Sequence, residues 1–558
     1  MAYDHDTKDP NLMNLHKAMV YDADGEPSLR VSIEQMAPGV DLTITGDVIV
    51  NEITGVVEIS NDVGNPIPIS ANTEINTITN PLYIQGVTTM ATGESNYFGE
   101  PYATRIIPVV QLNSYEGVKT RDTQTYTGGG GSVVVDDSDI EVSCTSTPGS
   151  YGVYRSRRFI PYRSGQSNVA RLLGRFSTPV AGTQQRFGIS NQEGGYYIGY
   201  NGTDFQFLHN YGGRAEIWSL AVTGTASTNQ TITLTLAGVA YNIPVLSGDS
   251  ANTIAAKISL AVESNAWLPT AVDNTVKLLS GGLGALAGTF SFSSTGNVTG
   301  VLTKLITGVA GTDEWHAMPD MPAWVTPTNY THWQLQYSWS GVNVLVLNHI
   351  TNRWCVVFRH VLPMGETSLP VKKPAFKVTT VVYNTGGASG VTAYISSMFG
   401  GIEGESEITT FTHGGGVTKS SLAGGTFHHI MSIQNPYVNT DNKLNFRMIK
   451  FMDLTVATQA NDPVEIYIYF DTELVGQVLD FQSYTDRLHQ ASFTTGAINT
   501  AADTPVISTV VGISGSNAQI DLLPYNLTLP PGAHMSLVAR SDSTIQKIAV
   551  GGIWGTIG

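Results

Sequence analysis

The sequence is short of cysteine and of charge, and it has no long apolar run. Cys144 and Cys355 are the only cysteines in 558 residues. They stand far apart without C-x-x-C spacing, which excludes a disulfide framework and a cysteine zinc site and makes a reducing compartment the simpler setting. Charged residues make up 13% of the chain, about half the usual share, so long charged helices cannot dominate it. The longest uncharged stretch, Leu278 to Thr303, is filled with Ser, Gly, Thr and Asn and reads as strands and turns, not as a membrane span. The opening MAYDHDTKDP has no apolar h-region, so no secretion signal is expected. A formal net charge of -16 argues against wholesale binding to nucleic acid or to anionic membranes.

What is abundant is glycine, at 58 residues, together with Thr, Ser and Asn between short apolar alternations. A chain of this length has room for three or four domains of about 150 residues. Residues 1–38 are read as an N-terminal docking arm, where Leu12, Leu15, Met19 and Val20 have near-helical spacing; a frayed arm is the alternative. Residues 39–95 carry LTITGDVIV, GVVEIS, NPIPIS and NPLYIQ, separated by Gly, Asn or Pro. Units this short cannot bury an apolar face alone, which points to a repeated β-stalk wound with other chains, or to a meander folded on its neighbour.

Residues 96–419 hold closely spaced strands, including YGVYRSRRFIPY, QRFGIS, GYYIGYNGTDFQFL and HWQLQYSWSG, and are read as a jelly-roll domain. In the last of these, Trp333, Leu335, Tyr337 and Trp339 share one face, while His332, Gln334, Gln336 and Ser338 share the other. That alternation marks a half-buried strand. The run Gly128 to Gly131 is expected to be a turn or joint near a boundary. Residues 215–311 differ in composition and read as an inserted ββαββ module whose ends lie close together. Its one clear helix is capped by Asp249 or Ser250 and lined by Ile254, Ile258, Ala261 and Val262. Beyond the glycine-rich stretch Gly414 to Gly425, residues 420–558 read as a C-terminal β-sandwich with a tight turn at Pro530 to Gly532. The fold class is therefore all-β: a short-repeat stalk, a jelly-roll or sandwich with a small α+β insertion, and a second sandwich.

Motifs for chemistry are few. Gly282, Gly284 and Ala287 have G-x-G-x-x-A spacing, but TFSFSS follows where a dinucleotide site needs a helix. No phosphate-binding loop, nucleophile elbow or zinc-protease motif occurs. Asp136, Asp137, Asp139 and Glu141 lack the glycine and ligand spacing of a calcium loop and read as a solvated strand edge. His428 and His429 are adjacent, so on a strand they point to opposite faces. Glycoside hydrolysis needs two carboxylates about 5–10 Å apart, and no sequence pattern singles out such a pair. No catalytic residue, metal or cofactor is therefore expected, and the chain is not read as an enzyme.

Two constellations suggest contacts. Between Val142 and Gln192 there is no acidic residue, yet Arg155, Arg157, Arg158, Arg163, Arg171, Arg175 and Arg186 all occur there. Guanidinium groups suit planar bidentate partners, so Arg155, Arg157, Arg158 and Arg163 are candidates for a subunit contact through carboxylates, or for a sugar acid or phosphate. Five of the eight tryptophans fall between Trp315 and Trp354. Trp333 and Trp339 read as core, whereas Trp315 and Trp324, in the Pro-rich loop DEWHAMPDMPAWVTP, are candidates for glycan contact.

RSRRFIPYRSGQS, followed by FGISNQEGGYYIGYNGTDFQFLHNYGGRAEIWSL and then by HWQLQYSWSGVNVLVLNH, resembles virion structural proteins of marine tailed phages, which have relatives in large DNA viruses. The likeness covers roughly residues 130–400, as a lectin-like jelly roll, and is looser in the C-terminal sandwich. TGDVIV and NPIPIS also resemble the short repeats of phage fibre and baseplate components. The resemblance implies a structural part of a virion, assembled in the host cytoplasm with other virion proteins. A homotrimeric tail, baseplate or fibre protein is the leading form; a host-glycan adhesin and a capsid decoration or head-fibre protein are the alternatives.

Overall fold

In a computed structural model the chain divides into two units, Met1–Gly86 and Val87–Gly558. Residues 15–21 and 27–33 are described in the first as backbone alone. In the second, residues 106–557 are described except 164, 265, 362–370, 372, 405–410, 485, 499–504 and 512–516, with residues 411, 484, 486–489 and 557 as backbone alone. The stalk expected over 39–95 lies outside the described residues.

In the first unit, Leu15–Tyr21 is a strand, not a helix, and pairs antiparallel with Pro27–Ile33 in register from Leu15–Ile33 to Tyr21–Pro27. Seven residues are too few for an isolated helix to be stable in water, whereas a partner strand containing Val31 and Ile33 offers cross-strand pairs.

The second unit is nearly all-β, with a single α-helix among its described residues. Two antiparallel sheets form its first sandwich. One runs in the order Thr312–Ala317, Asp204–Tyr211, Gly194–Asn201, Thr183–Asn191, Lys377–Asn384, Tyr151–Ser156, Thr123–Gly128. The other is centred on Thr331–Ser338, Asn168–Phe176 and Thr392–Glu403. Their facing side chains, Phe187, Tyr196, Ile198, Phe207, Phe376 and Val378 against Phe176, Trp333, Leu335, Tyr337, Val344 and Ile395, make one core. The faces expected for Trp333, Leu335 and Tyr337 are correct. The strand is not half-buried, however, because Gln334, Gln336 and Ser338 are buried as well. On that outer face Gln334 Oε1 accepts from Arg171 Nε at 2.5 Å, and Arg171 in turn stacks on Trp354 and Phe399. Trp339 is half-buried and meets Tyr162 edge-on at 5.4 Å. The glycine run after Gly128 is the expected turn: it carries the chain from one sheet to the other, with Gly129 and Gly130 at φ 60° and 84°, a region open to glycine at no steric cost.

Residues 215–306 form a separate core around the helix Ala251–Val262. Ser250 is the N-cap, its side chain accepting from Thr253 N at 3.1 Å. Ile254, Ala255, Ala256, Ile258 and Val262 are buried, and Ala261 is exposed. The expected ββαββ pattern undercounts the strands. Seven occur, in a four-stranded sheet (Trp267–Val272, Thr275–Leu283, Ala215–Thr223, Thr299–Ile306) and a three-stranded one (Val239–Val245, Gln230–Leu236, Ser291–Ser294). The three strands beyond the expected four are Ala215–Thr223, Trp267–Val272 and Thr299–Ile306, which together supply three of the four strands of the larger sheet. The module's ends are tied by two backbone hydrogen bonds between Arg214 and Val309, each 2.9 Å.

A further sandwich packs a sheet of Phe411–Leu422, Ile545–Ile557, Met448–Ala460 and Asn517–Asp521 against a six-stranded sheet that includes His428–Gln434, His534–Arg540 and Val464–Phe470. Trp554, Ile466 and Ile468 are buried in it. Within the glycine-rich stretch, Gly414 to Gly416 belong to the strand Phe411–Leu422, which pairs with Ile545–Ile557, and Gly424 and Gly425 lie in the turn that follows.

Candidate functional site

The outer face of the seven-stranded sheet carries a cleft of about 450 Å³. Register places its walls. Arg155 pairs with Thr379, Thr379 with Gly188 and Gly188 with Tyr197, which forms one row across the sheet; Val153, Val381 and Arg186 form the next. Because side chains alternate across a strand, all of these side chains project to the face opposite the core. Tyr126, Asn191 and Asn210 complete this wall, while Ala266 and Gly281 to Leu283 of the inserted module form the other.

Arg155 donates from Nε to Gln124 Oε1 at 3.1 Å and from Nη2 to the Tyr126 hydroxyl at 2.7 Å, with its guanidinium 4.5 Å from the Tyr126 ring centre. Gln124 Oε1 also accepts from the buried Lys377 Nζ at 2.9 Å. Burial, reinforced by Arg155 and Arg157, holds that ammonium well below the ordinary lysine range. Arg186 donates from Nη2 to Asp313 Oδ2 at 3.4 Å and to Gln184. It sits 5.3 Å from the Trp315 ring and 5.9 Å from Tyr197, and its buried Nε has no hydrogen-bond partner. Asp313 is held in turn by Asn210 Nδ2 at 2.6 Å. Burial pushes the Tyr197 phenol up, partly offset by its bond to Ser190 and by Arg186 and Arg155.

The loop that forms the far wall hangs on a buried carboxylate. Glu216 Oε1 accepts from Trp218 Nε1 at 2.6 Å and faces Lys304 Nζ at 3.3 Å, while Oε2 accepts from the backbone N–H groups of Leu286 and Gly308, each 3.4 Å. Burial raises the Glu216 pKa, but these donors outweigh it and leave it below the usual glutamate range. GGLGALAG is therefore a strand end and turn held by Glu216.

The seven arginines do not converge. Arg155 and Arg186 share the cleft. Arg157 Nη1 donates to Asp471 of the C-terminal sandwich, and Arg158 Nη2 lies 3.8 Å from Asp122 Oδ1. Arg163 is half-buried and outside the cleft. Arg175 lies 3.5 Å from the centre of the Tyr394 ring. Trp315 is on the edge strand Thr312–Ala317, not in a loop, opposite Leu208. Trp324 does lie in a loop and is 48% exposed; neither tryptophan lines the cleft. The residues that sequence reasoning missed are Tyr126, Tyr197 and Asn210; the alternation in GGYYIGYNG was a signal for Tyr197 alone, and Tyr126 and Asn210 reach the cleft through sheet order.

Asp139 accepts from Ser396 Oγ at 2.5 Å and from the Tyr330 hydroxyl, so it belongs to the sandwich's internal bonding. His428 bonds to Ala423 O at 2.8 Å, whereas His429 bonds to Thr494 O and Ser432 Oγ at 2.6 and 2.7 Å. Among the described residues no group of three or more His, Cys, Asp or Glu is placed to hold a metal ion, and no helix is long and apolar enough to cross a membrane.

No protein-family model matches the chain, and no curated protein matches it. Among solved structures, it is similar to one from Sulfolobus turreted icosahedral virus, at 9% identity over 82% of this chain and 99% of that one, with a TM-score of 0.14. A structure of infectious bursal disease virus, Gx strain, matches at 11% identity over 76% and 82%, TM-score 0.11. PNGF-II matches at 9% over 81% and 64%, TM-score 0.11. At these scores none of the three carries an argument about this chain.

Proposed function

We propose that the chain is a structural component of a virus particle, a tail, baseplate or fibre protein that assembles as a homotrimer with other virion proteins and has no catalytic role. The observation that supports this reading is where the resemblance to phage virion proteins falls. FGISNQEGGYYIGYNGTDFQFLHNY spans three neighbouring strands of the seven-stranded sheet, and HWQLQYSWSGVNVLVLNH forms a hairpin of the facing sheet. The likeness thus lies on the framework of the sandwich and not on a variable loop.

Two measurements test this. Particles from the producing host are banded on a density gradient, washed in high salt and analysed for peptides of this chain by mass spectrometry. Peptides that stay with the band support the reading, and peptides confined to the soluble fraction overturn it. Light scattering on the full-length chain and on a version lacking residues 1–95 tests the trimer: a trimer that falls to monomer supports the stalk as the assembly element, and a monomer in both cases removes it.

A host-glycan adhesin is the second reading, favoured by the aromatic and guanidinium lining of the cleft and by Trp315 against Arg186. Trp315→Ala or Trp324→Ala that folds normally but no longer supports adsorption would favour it; unchanged adsorption removes those two contacts.

A further inference from the structure

We propose that the cleft between the seven-stranded sheet and the inserted module binds a carboxylate-bearing saccharide through Arg155 and Arg186. This goes beyond the particle reading and does not depend on it, because a purified chain is enough to test it.

The lining decides the chemical class. Among the described residues its charged lining is Arg155 and Arg186, with the Asp313 carboxylate beside Arg186, so a chain of net charge -16 presents two guanidinium groups against one carboxylate here. Tyr126, Tyr151 and Tyr197 supply ring surface and hydroxyls, and Asn191, Gln192 and Asn210 supply amides that both donate and accept. Rings beside fixed hydrogen-bonding groups suit a polyhydroxylated ring, and two guanidinium groups add a planar anion to it. A cleft of about 450 Å³ falls within the range of small-ligand sites, about 300–1,000 Å³.

The geometry also shows what a ligand would gain. Arg186 Nε is buried without a partner, so this guanidinium is only partly satisfied within the protein. The Asp313 oxygen that faces Arg186 is 3.4 Å away, a long contact on a side chain that is 41% exposed and held on its other oxygen by Asn210, so a carboxylate in the cleft competes with Asp313 for Arg186. Arg155 is braced by Gln124 and Tyr126, so its guanidinium is held in place before binding. The other charged cleft, at Arg157, Glu263, Asp471 and His534, is occupied by its own ion pair and fits a joint between cores.

The test uses the full chain and calorimetric titration with an oligogalacturonate, a neutral galacto-oligosaccharide of equal length and a sulfated one. The oligogalacturonate is expected to bind, with the other two at least about tenfold weaker, as the loss or mismatch of one charge-assisted pair implies. Arg155→Gln and Arg186→Gln should each weaken binding by about tenfold or more, while Arg353→Gln, an exposed residue outside the cleft, should not. Should Arg186→Gln fail to fold, Gly282→Trp serves instead. A Cβ at Gly282 meets nothing within 4 Å, so a large side chain there fills the cleft from the module side without disturbing the sheet. No binding of the oligogalacturonate, equal binding of the neutral or sulfated sugar, or full binding by Gly282→Trp would each overturn the proposal. Loss of particle association would not, so the two readings fail separately.

Discussion

Arg157 and Asp471 form an ion pair across 314 positions of sequence, joining the first sandwich to the C-terminal one. Asp471 is shared, since its Oδ1 also accepts from His534 N at 2.8 Å. The Arg157 guanidinium is pulled down by burial and more than restored by Asp471 together with Tyr437 and Glu263, and with side chains 20% and 31% exposed the pair is a part-buried joint between the two sandwiches. Nearby, Tyr437 and Val438 pack with Ala215, Ile217, Leu268 and Leu279, so the inserted module contributes apolar surface to the same junction.

Arg157→Met should destabilise the protein by about 1–3 kcal/mol, because it leaves Asp471 partly desolvated without its cation. A double-mutant cycle with Asp471→Asn should return a coupling of about 1 kcal/mol or more in denaturant unfolding. A coupling indistinguishable from zero would show that the pair does not hold the cores together.

Gly532 completes the turn read from Pro530 to Gly532, and it does so at φ 88° with a would-be Cβ 1.9 Å from the Tyr437 ring. Gly532→Ala should therefore cost more than about 2 kcal/mol, combining backbone strain with overlap of a buried ring. Gly425→Ala, at φ 76° with nothing within 4 Å, isolates the backbone part and should cost about 1 kcal/mol. Equal melting temperatures for the two variants would refute the steric account.

His429 is buried between Thr494 O and Ser432 Oγ, and burial lowers its pKa from 6.5 to about 4. The unfolded chain thus takes up a proton below about pH 6.5 that the folded chain refuses down to about pH 4. Stability should be unaffected by this group above pH 7 and fall by about 3 kcal/mol as pH drops across that window. Compared between pH 7.5 and 4.5, His429→Gln should lose less stability than the parent chain; identical losses would rule this out.

Asp480 works in the opposite sense. Burial, with Asp273 nearby, raises its pKa from 3.8 to about 6, and its Oδ1 is buried without a partner. The folded chain holds a proton that the unfolded chain has released, so stability is lost as pH rises from about 4 to 6 and stays lost above. Asp480→Asn should stabilise the protein by about 1–3 kcal/mol at pH 7.5 and change little at pH 4. A variant no more stable than the parent at pH 7.5 contradicts the assignment.

Local patterns were legible wherever one element decided them. The alternation around Trp333, the Ser250 cap with its Ile254, Ile258 and Val262 face, and the C-terminal strands ending in IWGTI all follow from periods of two or 3.6 residues and from capping chemistry. The reading failed where a distant partner intervened. Leu15–Tyr21 became a strand because Pro27–Ile33 pairs with it, and Gln334 and Gln336 are buried because the outer face of their sheet is covered as well. Trp315 left its expected loop because Asp204–Tyr211 offered it an edge to pair with.

By itself the sequence determined an all-β chain with an inserted helix-bearing module, because strand alternation, turn residues and helix caps act over a few positions. Only the tertiary structure decided which arginines share a site. Gln124–Lys377, Arg186–Asp313 and Arg157–Asp471 are separated by 253, 127 and 314 positions. Whether a guanidinium meets a carboxylate, a tyrosine or an open cleft depends on sheet order and register, which no local pattern of residues encodes.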